Sequence, residues 1–215
     1  ATFDVFRAHQ PWVGDEALSP KSIAREMVEE YAAFDTYVKL YGLQRLEGTL
    51  LRYLHQVYTT ARPDYSGRVT VPVLWDKQTA TIVNNESSEI IRMLNTAFNA
   101  FTPVQTDYYP VAQRSAIDEV NTLVYDNINN GVYKCGFATT QEAYEEAFDA
   151  LFSALDTVEA RLSERRYLCG ERITEADWRL FATLIRFDAV YVGHFKCNRR
   201  RIADYPNLSN YVREL

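Results

Sequence analysis

The sequence predicts an α+β fold that is mostly helical, in which a small β-containing unit is followed by a linker and an all-helical domain. Two β-branched segments lie at 68–75 and 80–85 with turn residues between them, a pattern typical of paired strands. Residues 102–110 hold two prolines and have no periodicity, which indicates a linker. After the linker, apolar residues recur at helical spacing almost to the end of the sequence.

The chain before the β-containing unit is predicted to be helical. Ser19 suits a helix cap and Pro20 suits the first helical position. Apolar residues then recur at helical spacing as far as Tyr41, and Gly42 is predicted to end the helix. A second helical pattern runs from about residue 47 to residue 58.

The β-containing unit is predicted to be a hairpin followed by a helix. The segment "RVTVPVLW" is predicted as the first strand, "DKQT" as a turn and "ATIVNN" as the second strand. The segment "ESSEIIRMLNTAF" then has the pattern of a helix. Pro72 interrupts the first strand, and a proline cannot donate a backbone hydrogen bond to a sheet.

The last part of the chain is predicted to hold four helices. Two cover about residues 111–129 and 140–163. A third begins after Thr174, which can cap it while Asp177, three residues on, bonds back to the cap. The apolar residues that follow, as far as Val192, indicate a helix buried in a bundle. A short final helix follows the "YPNL" turn at 205–208.

Charge and hydropathy narrow the class of protein. The formal net charge is −6, which argues against a nucleic-acid-binding surface as the main feature. No apolar stretch reaches the roughly 18 residues that span a membrane, and the first residues lack a secretory signal pattern. We therefore expect a cytoplasmic protein that binds neither nucleic acid nor membrane.

Cysteine and histidine usage predicts neither a disulfide scaffold nor a metal site. The cysteines are odd in number and form no C-x-x-C motif; they are Cys135, Cys169 and Cys197. The histidines are far apart in the sequence and lack metal-ligand spacing; they are His9, His55 and His194. The three cysteines are interpreted as small buried or incidental residues, since none lies at a helix start that would lower the pKa of its thiol.

Four segments together resemble one known family. They are "YSGRVTVPVLWDKQTATIVNNESSEIIRMLNTAF", "VYDNINNGVYKCGFATTQEAYEEA", "RYLCGERITEADWRLFATLIRFDAVYVGHFKCN" and "RIADYPNLSNYVREL". They closely resemble the glutathionyl-hydroquinone reductases, the xi class of glutathione transferases, over about residues 53–215. The resemblance implies a partial thioredoxin-like, glutathione-binding unit at 53–101 and an all-α glutathione-transferase C-terminal domain at 102–215. Residues 1–52 are a helical segment of uncertain origin.

The resemblance implies a glutathione site in the β-containing unit. The Val71–Pro72 bond would be cis, and the Val71 backbone would pair with the cysteinyl part of glutathione as an added strand does. Glu86 would bind the γ-glutamyl ammonium, and the Ser87 hydroxyl with the helix N-terminus would bind its carboxylate. From the residues alone, an edge strand explains Pro72 and plain helix capping explains Glu86 and Ser87.

The resemblance also implies an acceptor site for aromatic quinol conjugates. Tyr133 and Tyr191 are its candidates, because a phenol can bond a quinol oxygen while its ring stacks on the substrate. The alternative is packing, since the chain has 15 tyrosines. Family members form homodimers, which implies a possible homodimer here. They also continue beyond the position that matches Leu215, and because that tail contributes to the acceptor site, the resemblance implies weaker binding of aromatic substrates here.

One part of the family's chemistry is not found in this sequence. Family members use a nucleophilic cysteine in a Cys-Pro-Trp-Ala motif, which attacks the sulfur of a glutathionyl-hydroquinone. No such motif occurs here. The sequence therefore predicts no catalytic residue, and it predicts weak or absent activity. The alternative function is a non-enzymatic glutathione-binding or scaffold protein.

Two interpretations of the first 52 residues stay open. In one, "AHQPWVGDEAL" aligns with the family motif and Gln10 occupies the nucleophile position, which an amide cannot fill. In the other, residues 5–52 resemble a segment near the C-terminus of bacterial DEAD/DEAH-type RNA helicases, and the chain is a fusion or an artificial sequence. No phosphate-binding G-x-x-x-x-G-K-[ST] motif is present, so no helicase activity is carried over.

Overall fold

The computed structural model describes residues 53–215, and helices and strands are numbered within that range. The chain divides into two compact units between Ile90 and Ile91. This division lies inside a helix, whereas the sequence predicted a domain boundary at about residue 102. The predicted domain limits stay a prediction. The predictions for residues 1–52, including a helix from Ser19 and the position of Gln10, lie outside the described residues.

The first unit holds one helix, one hairpin and the start of a second helix among its described residues. These are α1 (Leu54–Ala61), β1 (Leu74–Asp76), β2 (Thr81–Asn84) and α2 (Ser87–Thr96). Val57 and Tyr58 of α1 are buried, and Trp75 and Ile82 of the hairpin pack against them. This small apolar cluster holds the helix on one face of the hairpin.

The hairpin is antiparallel, with Trp75 opposite Ile82 and Asp76 opposite Thr81. The Asp76 carboxylate accepts hydrogen bonds from the N–H groups of Gln78 (2.8 Å) and Thr79 (3.3 Å), as aspartates that begin turns do. The predicted turn and second strand are confirmed.

The predicted first strand is wrong in its first part. It begins at Leu74 and not at residue 68. Pro72 has no N–H to give to a ladder, and Thr70 is bonded to a side chain instead of to a strand.

The second unit is helical. It contains the end of α2, then α3 (Arg114–Val124), α4 (Gly131–Phe137), α5 (Gln141–Glu164), α6 (Glu175–Arg186), α7 (Val192–His194) and α8 (Pro206–Glu214). A π-helical turn at Tyr125–Asn129 connects α3 to α4, and another at Phe187–Tyr191 connects α6 to α7. α5 packs on α4 and α8, and α6 packs on α3.

The core of the second unit lies between these helices. Its largest fully buried side chains are aromatic and aliphatic: Tyr205, Phe152, Phe187, Ile117, Ile128, Leu151, Leu155, Leu168, Leu180 and Leu208. The apolar stripes that predicted helices at 111–129, 140–163 and 174–192 supply most of them. Burial of such side chains is the main stabilising contribution, at about 25 cal/mol per Å² of apolar surface.

The linker is anchored within the second unit. The N–H of Tyr108 donates to the Asn95 side chain at 2.9 Å, and the Asn95 amide donates to Asp107 at 2.7 Å. Nearby, the buried Glu175 carboxylate accepts from the guanidinium of Arg92 at 2.8 Å. These polar contacts tie the end of α2 and the linker to the start of α6.

Two helical features differ from the sequence prediction. α4 was not predicted, because "NNG" before it has the composition of a turn; the chain instead continues helically through the π-helical turn at Tyr125–Asn129. The predicted helix from Thr174 to Val192 is regular only to Arg186 and then widens into the second π-helical turn.

Candidate functional site

The predicted glutathione site contains an exposed backbone edge at Val71. The Val71–Pro72 peptide bond is cis, as the family resemblance implied. The Val71 residue is 73% exposed. Within residues 53–215, neither its N–H nor its C=O has a hydrogen-bond partner. An extended peptide can therefore add to this edge by backbone hydrogen bonds.

Tyr58 fixes the residue that precedes this edge. The Tyr58 residue is 4% exposed. Its hydroxyl donates to the C=O of Thr70 at 2.7 Å and accepts from the N–H of Thr70 at 3.2 Å. Both backbone groups of Thr70 are thus held by one side chain of α1, which positions the Val71 backbone next to them.

The predicted γ-glutamyl end lies at the start of α2. The N–H of Glu86 donates to the Asn84 side chain at 2.6 Å. The Glu86 carboxylate accepts weakly from the N–H and hydroxyl of Ser88, at 3.4 and 3.3 Å. Glu86 and Ser87 are exposed. Glu86 therefore caps the helix, as the packing alternative expected, and its exposed carboxylate is also accessible to a ligand.

A hydrogen bond joins these two parts of the predicted site. The Asn85 amide donates to the Thr70 hydroxyl at 3.0 Å. Asn85 directly precedes Glu86, and Thr70 directly precedes Val71. The structure therefore brings together Val71, Pro72, Glu86 and Ser87 through two residues that the sequence did not single out.

The two predicted acceptor tyrosines lie side by side in the second unit. Their hydroxyl oxygens are 3.4 Å apart and their ring centroids 5.9 Å apart. Phe195 packs on both rings, with centroids at 5.5 Å from Tyr133 and 5.5 Å from Tyr191. Phe137 completes the group, 5.4 Å from Phe195. We call these four residues the aromatic cluster: Tyr133, Phe137, Tyr191 and Phe195.

Exposure differs within the aromatic cluster. Phe137 is 72% exposed and Tyr133 is 43% exposed, whereas Tyr191 is 3% exposed. Tyr133 and Phe137 are one turn apart on α4 and share a face. The cluster therefore offers two rings to solvent above a buried phenol, an arrangement that suits stacking on an aromatic ligand.

The polar groups of the cluster are coupled. Arg186 donates from its Nε to the Tyr191 hydroxyl at 3.2 Å. Sequence reasoning missed Arg186, Phe137 and Phe195. Phe137 and Phe195 lie four positions after Tyr133 and Tyr191, and this spacing was a signal that could have indicated them. Arg186 has no such spacing to either tyrosine.

The three cysteines are poorly accessible. Cys135 and Cys197 are 4% and 0% exposed, and Cys169 is partly buried. A hydrogen bond from the Cys197 thiol lowers the pKa of Cys135. The same contact with Cys135, together with burial, raises the pKa of Cys197. Burial raises the pKa of Cys169. The sequence did not predict the contact between Cys135 and Cys197, which are far apart along the chain.

Two further properties concern metals and membranes. Among residues 53–215, no group of three or more histidine, cysteine, aspartate or glutamate side chains is arranged to hold a metal ion. None of the helices in this range combines the length and apolar character needed to cross a membrane.

Family models match two parts of the chain. The model described as "Glutathione S-transferase, C-terminal domain" matches residues 141–214. A second model, "Domain of unknown function (DUF3516)", matches residues 1–95. The first agrees with the predicted all-α domain. The second carries no description of a helicase, so the helicase resemblance of residues 5–52 stays a prediction.

Solved structures define the class of fold. The glutathione-bound structure of YqjG, a glutathione transferase homolog from Escherichia coli K-12, matches with a TM-score of 0.75 and 57% identity, over 77% of this chain and 54% of that one. The glutathione S-transferase Xi from Phanerochaete chrysosporium matches with a TM-score of 0.76 and 56% identity, over 80% and 59%. The described residues thus have a glutathione-transferase fold, and the predicted α+β, mostly helical class is confirmed.

Curated relatives narrow the class further. The glutathionyl-hydroquinone reductase PcpF of Sphingobium chlorophenolicum is 63% identical over 163 residues, which are 76% of this chain and 52% of that protein. The glutathionyl-hydroquinone reductase YqjG of Escherichia coli strain K12 is 58% identical over 163 residues, or 76% and 50%. Over most of its length the chain is therefore homologous to xi-class enzymes. It spans about half the length of these curated relatives.

Proposed function

We propose that this chain is a glutathione-binding protein of the glutathionyl-hydroquinone reductase type, with weak or absent reductase turnover. One observation carries the proposal: the Val71 backbone, which is exposed and has no hydrogen-bond partner within residues 53–215, lies beside the Glu86–Ser87 helix start. The hydrogen bond between Thr70 and Asn85 holds it there. The backbone edge matches the cysteinyl backbone of glutathione, and the helix N-terminus with an adjacent acid matches the carboxylate and ammonium of its γ-glutamyl end.

The cysteinyl and γ-glutamyl parts of glutathione have partners of suitable chemistry. The cysteinyl N–H and C=O pair with the Val71 backbone. The γ-glutamyl ammonium pairs with the Glu86 carboxylate, and the γ-glutamyl carboxylate takes the hydroxyl and the N–H of Ser87 at the start of α2. The structure of YqjG is glutathione-bound, which supports this proposal.

The proposed second ligand is an aromatic quinol conjugate. The aromatic cluster supplies exposed rings for stacking, and Tyr133 supplies a phenol for a quinol oxygen. The relatives PcpF and YqjG are glutathionyl-hydroquinone reductases, which supports this substrate class. The cytoplasmic location expected from the hydropathy of the sequence and the homodimer that the resemblance implies are proposed with it.

Turnover requires a thiolate that can reach the sulfur of the conjugate. Two of the three cysteines are almost fully buried, and burial raises the pKa of the third. We therefore expect a glutathionyl-hydroquinone to be reduced by glutathione at or near the uncatalysed rate in the presence of the chain.

A steady-state assay tests this expectation. It compares the chain with a variant in which Cys135, Cys169 and Cys197 are all replaced by serine or alanine, and both should stay near the uncatalysed rate. Rapid turnover by the original chain that a single replacement abolishes would identify a nucleophile and contradict the proposal. Rapid turnover that survives all three replacements would show that no cysteine is required.

The second candidate function is a non-enzymatic scaffold. It is favoured by the capping bonds of Glu86, which explain that residue without a ligand. A scaffold would bind neither glutathione nor quinol conjugates, and a glutathione titration therefore separates it from the first candidate.

A further inference from the structure

Arg186 is the last residue of α6, and its guanidinium contacts the phenol of Tyr191 across the π-helical turn that follows. The distance from Arg186 Nε to the Tyr191 hydroxyl is 3.2 Å. Arg186 forms no salt bridge to any acid among residues 53–215, so its charge is not neutralised by a bonded carboxylate within this range. The charge instead acts on a phenol that is 3% exposed.

This contact favours one direction for the hydrogen bond between the two tyrosines. A guanidinium carries only donors, so the Tyr191 oxygen must accept from it. The Tyr191 proton is then directed at the nearest acceptor, the Tyr133 oxygen at 3.4 Å. Tyr133 accepts this bond and keeps its own proton for a further partner. Because Tyr133 is 43% exposed, that partner can be a ligand.

We propose that Arg186 is a positioning residue that sets the direction of the hydrogen bonds running from Arg186 through Tyr191 to Tyr133. Tyr133 then donates a hydrogen bond to an electron-rich oxygen on an aromatic ligand. The matching ligand oxygen is a phenolate or a quinone carbonyl. The inference deepens the proposed acceptor site and rests on it for the identity of the ligand. The order of the hydrogen bonds itself rests on the contacts alone.

The surroundings of the two phenols favour an anionic or polarised oxygen. Tyr133 faces Arg186 and Tyr191, and the other members of the aromatic cluster are uncharged. The His194 ring lies 5.3 Å from the Phe195 ring and is tilted by 37° to it, and the Lys134 ammonium donates to a backbone C=O at 3.0 Å. The positive charge at the two phenols therefore comes from Arg186. Hydrogen bonds from a chain of donors strengthen one another when the first donor is charged.

The first test measures the ordering without any ligand. The tyrosine ring resonances of the full chain are followed by NMR as a function of pH, with Tyr133→Phe and Tyr191→Phe identifying the two signals. Arg186→Met should raise the pH at which Tyr133 ionises, because its phenolate loses the stabilising positive charge, and Arg186→Lys should restore part of the shift. An unchanged Tyr133 titration in Arg186→Met would overturn the proposal.

Arg213→Met is the matched control. Arg213 lies on α8, is exposed, and makes no hydrogen bond or ion pair within the described part of the chain. Its replacement should leave the Tyr133 titration unchanged. A shift equal to that of Arg186→Met would show that net charge, not the contact with Tyr191, moves the titration, and would also overturn the proposal.

The second test measures the binding of an aromatic ligand. Binding of para-nitrophenol is followed by the absorbance of its phenolate, and Arg186→Met should weaken phenolate binding about tenfold while Arg213→Met leaves it unchanged. Equal phenolate binding by the original chain and Arg186→Met would overturn the role of Arg186 toward a ligand. If no variant binds the phenol although the NMR titration shifts as expected, the proposed acceptor site fails and the ordering of the two tyrosines stands.

Discussion

Gly136 lies on α4 where the Phe195 ring packs against the helix. A Cβ built at this position would overlap three atoms of that ring. Glycine costs a helix about 1 kcal/mol relative to alanine, so a glycine here is disfavoured locally. It is explained by the close approach of the ring, which joins Phe195 to the aromatic cluster.

We predict that Gly136→Ala destabilises the protein although alanine favours helix. The added methyl group forces Phe195 to move, and overpacking of this kind costs about 1 to 3 kcal/mol. Urea denaturation measures the change in the free energy of unfolding. The same variant should weaken para-nitrophenol binding, because the ring that packs on both tyrosines is displaced.

Gly193 provides the control for this prediction. A Cβ at Gly193 meets nothing within 4 Å, and the residue is helical. Gly193→Ala should therefore leave stability unchanged or raise it slightly. If Gly136→Ala were as stable as Gly193→Ala, the result would contradict the close packing of Phe195 against α4.

The sequence could indicate Tyr133 and Tyr191 only through a resemblance, because 15 tyrosines are chemically alike. It could not indicate Arg186. In a regular α-helix the neighbours of residue 191 lie three and four positions away, and Arg186 is five positions away. The π-helical turn Phe187–Tyr191 widens the helix and brings the two together. Such turns are rare and have no simple sequence pattern.

At the scale of elements, the start of α6 is the feature that the sequence predicted most completely. The Asp177 carboxylate accepts from the N–H and hydroxyl of Thr174, at 2.7 and 2.9 Å, as the capping box predicted. It also accepts from the N–H of Leu168 at 2.9 Å and the hydroxyl of Tyr211 at 2.8 Å. These two partners come from the preceding loop and from α8, and local spacing could not predict them.

We predict that Asp177→Ala destabilises the helical unit by about 3 kcal/mol or more. The side chain is 0% exposed, so its loss leaves several buried donors without an acceptor, and each such donor costs about 1 to 3 kcal/mol. The change is measured by urea denaturation followed by circular dichroism. Glu142→Ala, which removes an exposed acid from the first turn of α5, should change stability by less than about 0.5 kcal/mol. Equal losses in the two variants would contradict the role of Asp177.

The hairpin and α4 show where sequence patterns fail at this scale. β-Branched residues at 68–73 favour a strand, but Pro72 lacks a donor and the Tyr58 hydroxyl takes both backbone groups of Thr70. At α4, the polar "NNG" favours a turn, while Val132 and Cys135 are buried in the core and hold the segment as a helix. In both cases tertiary contacts override the local preference.

At the scale of the whole molecule, two compact units carry the two proposed sites. The first unit holds the Val71 edge and the start of α2, and the second holds the aromatic cluster. Hydrophobic periodicity predicted most helices of the second unit, though not α4, and it predicted the fold class, because a bundle core needs repeated apolar stripes. The paired contacts of the sites join residues distant in sequence, and no periodicity encodes them.

The central claim is that the chain keeps the glutathione-binding half of a xi-class site without an accessible nucleophile. Glu86 is the residue on which this claim depends most, because its carboxylate is both a helix cap and the proposed partner of the γ-glutamyl ammonium. Glu86→Gln separates these roles, since an amide oxygen can still accept from Ser88 but carries no charge. Glu89→Gln removes a charge from the same helix turn and is the matched control.

Calorimetric titration of the full chain with reduced glutathione tests this claim most directly. We predict saturable binding to the original chain and to Glu89→Gln, and binding weakened at least about tenfold in Glu86→Gln, since a charged hydrogen bond is lost. Thermal unfolding of the three proteins shows whether the helix cap is intact. No binding to the original chain at millimolar glutathione, or equal binding to Glu86→Gln, would contradict the claim.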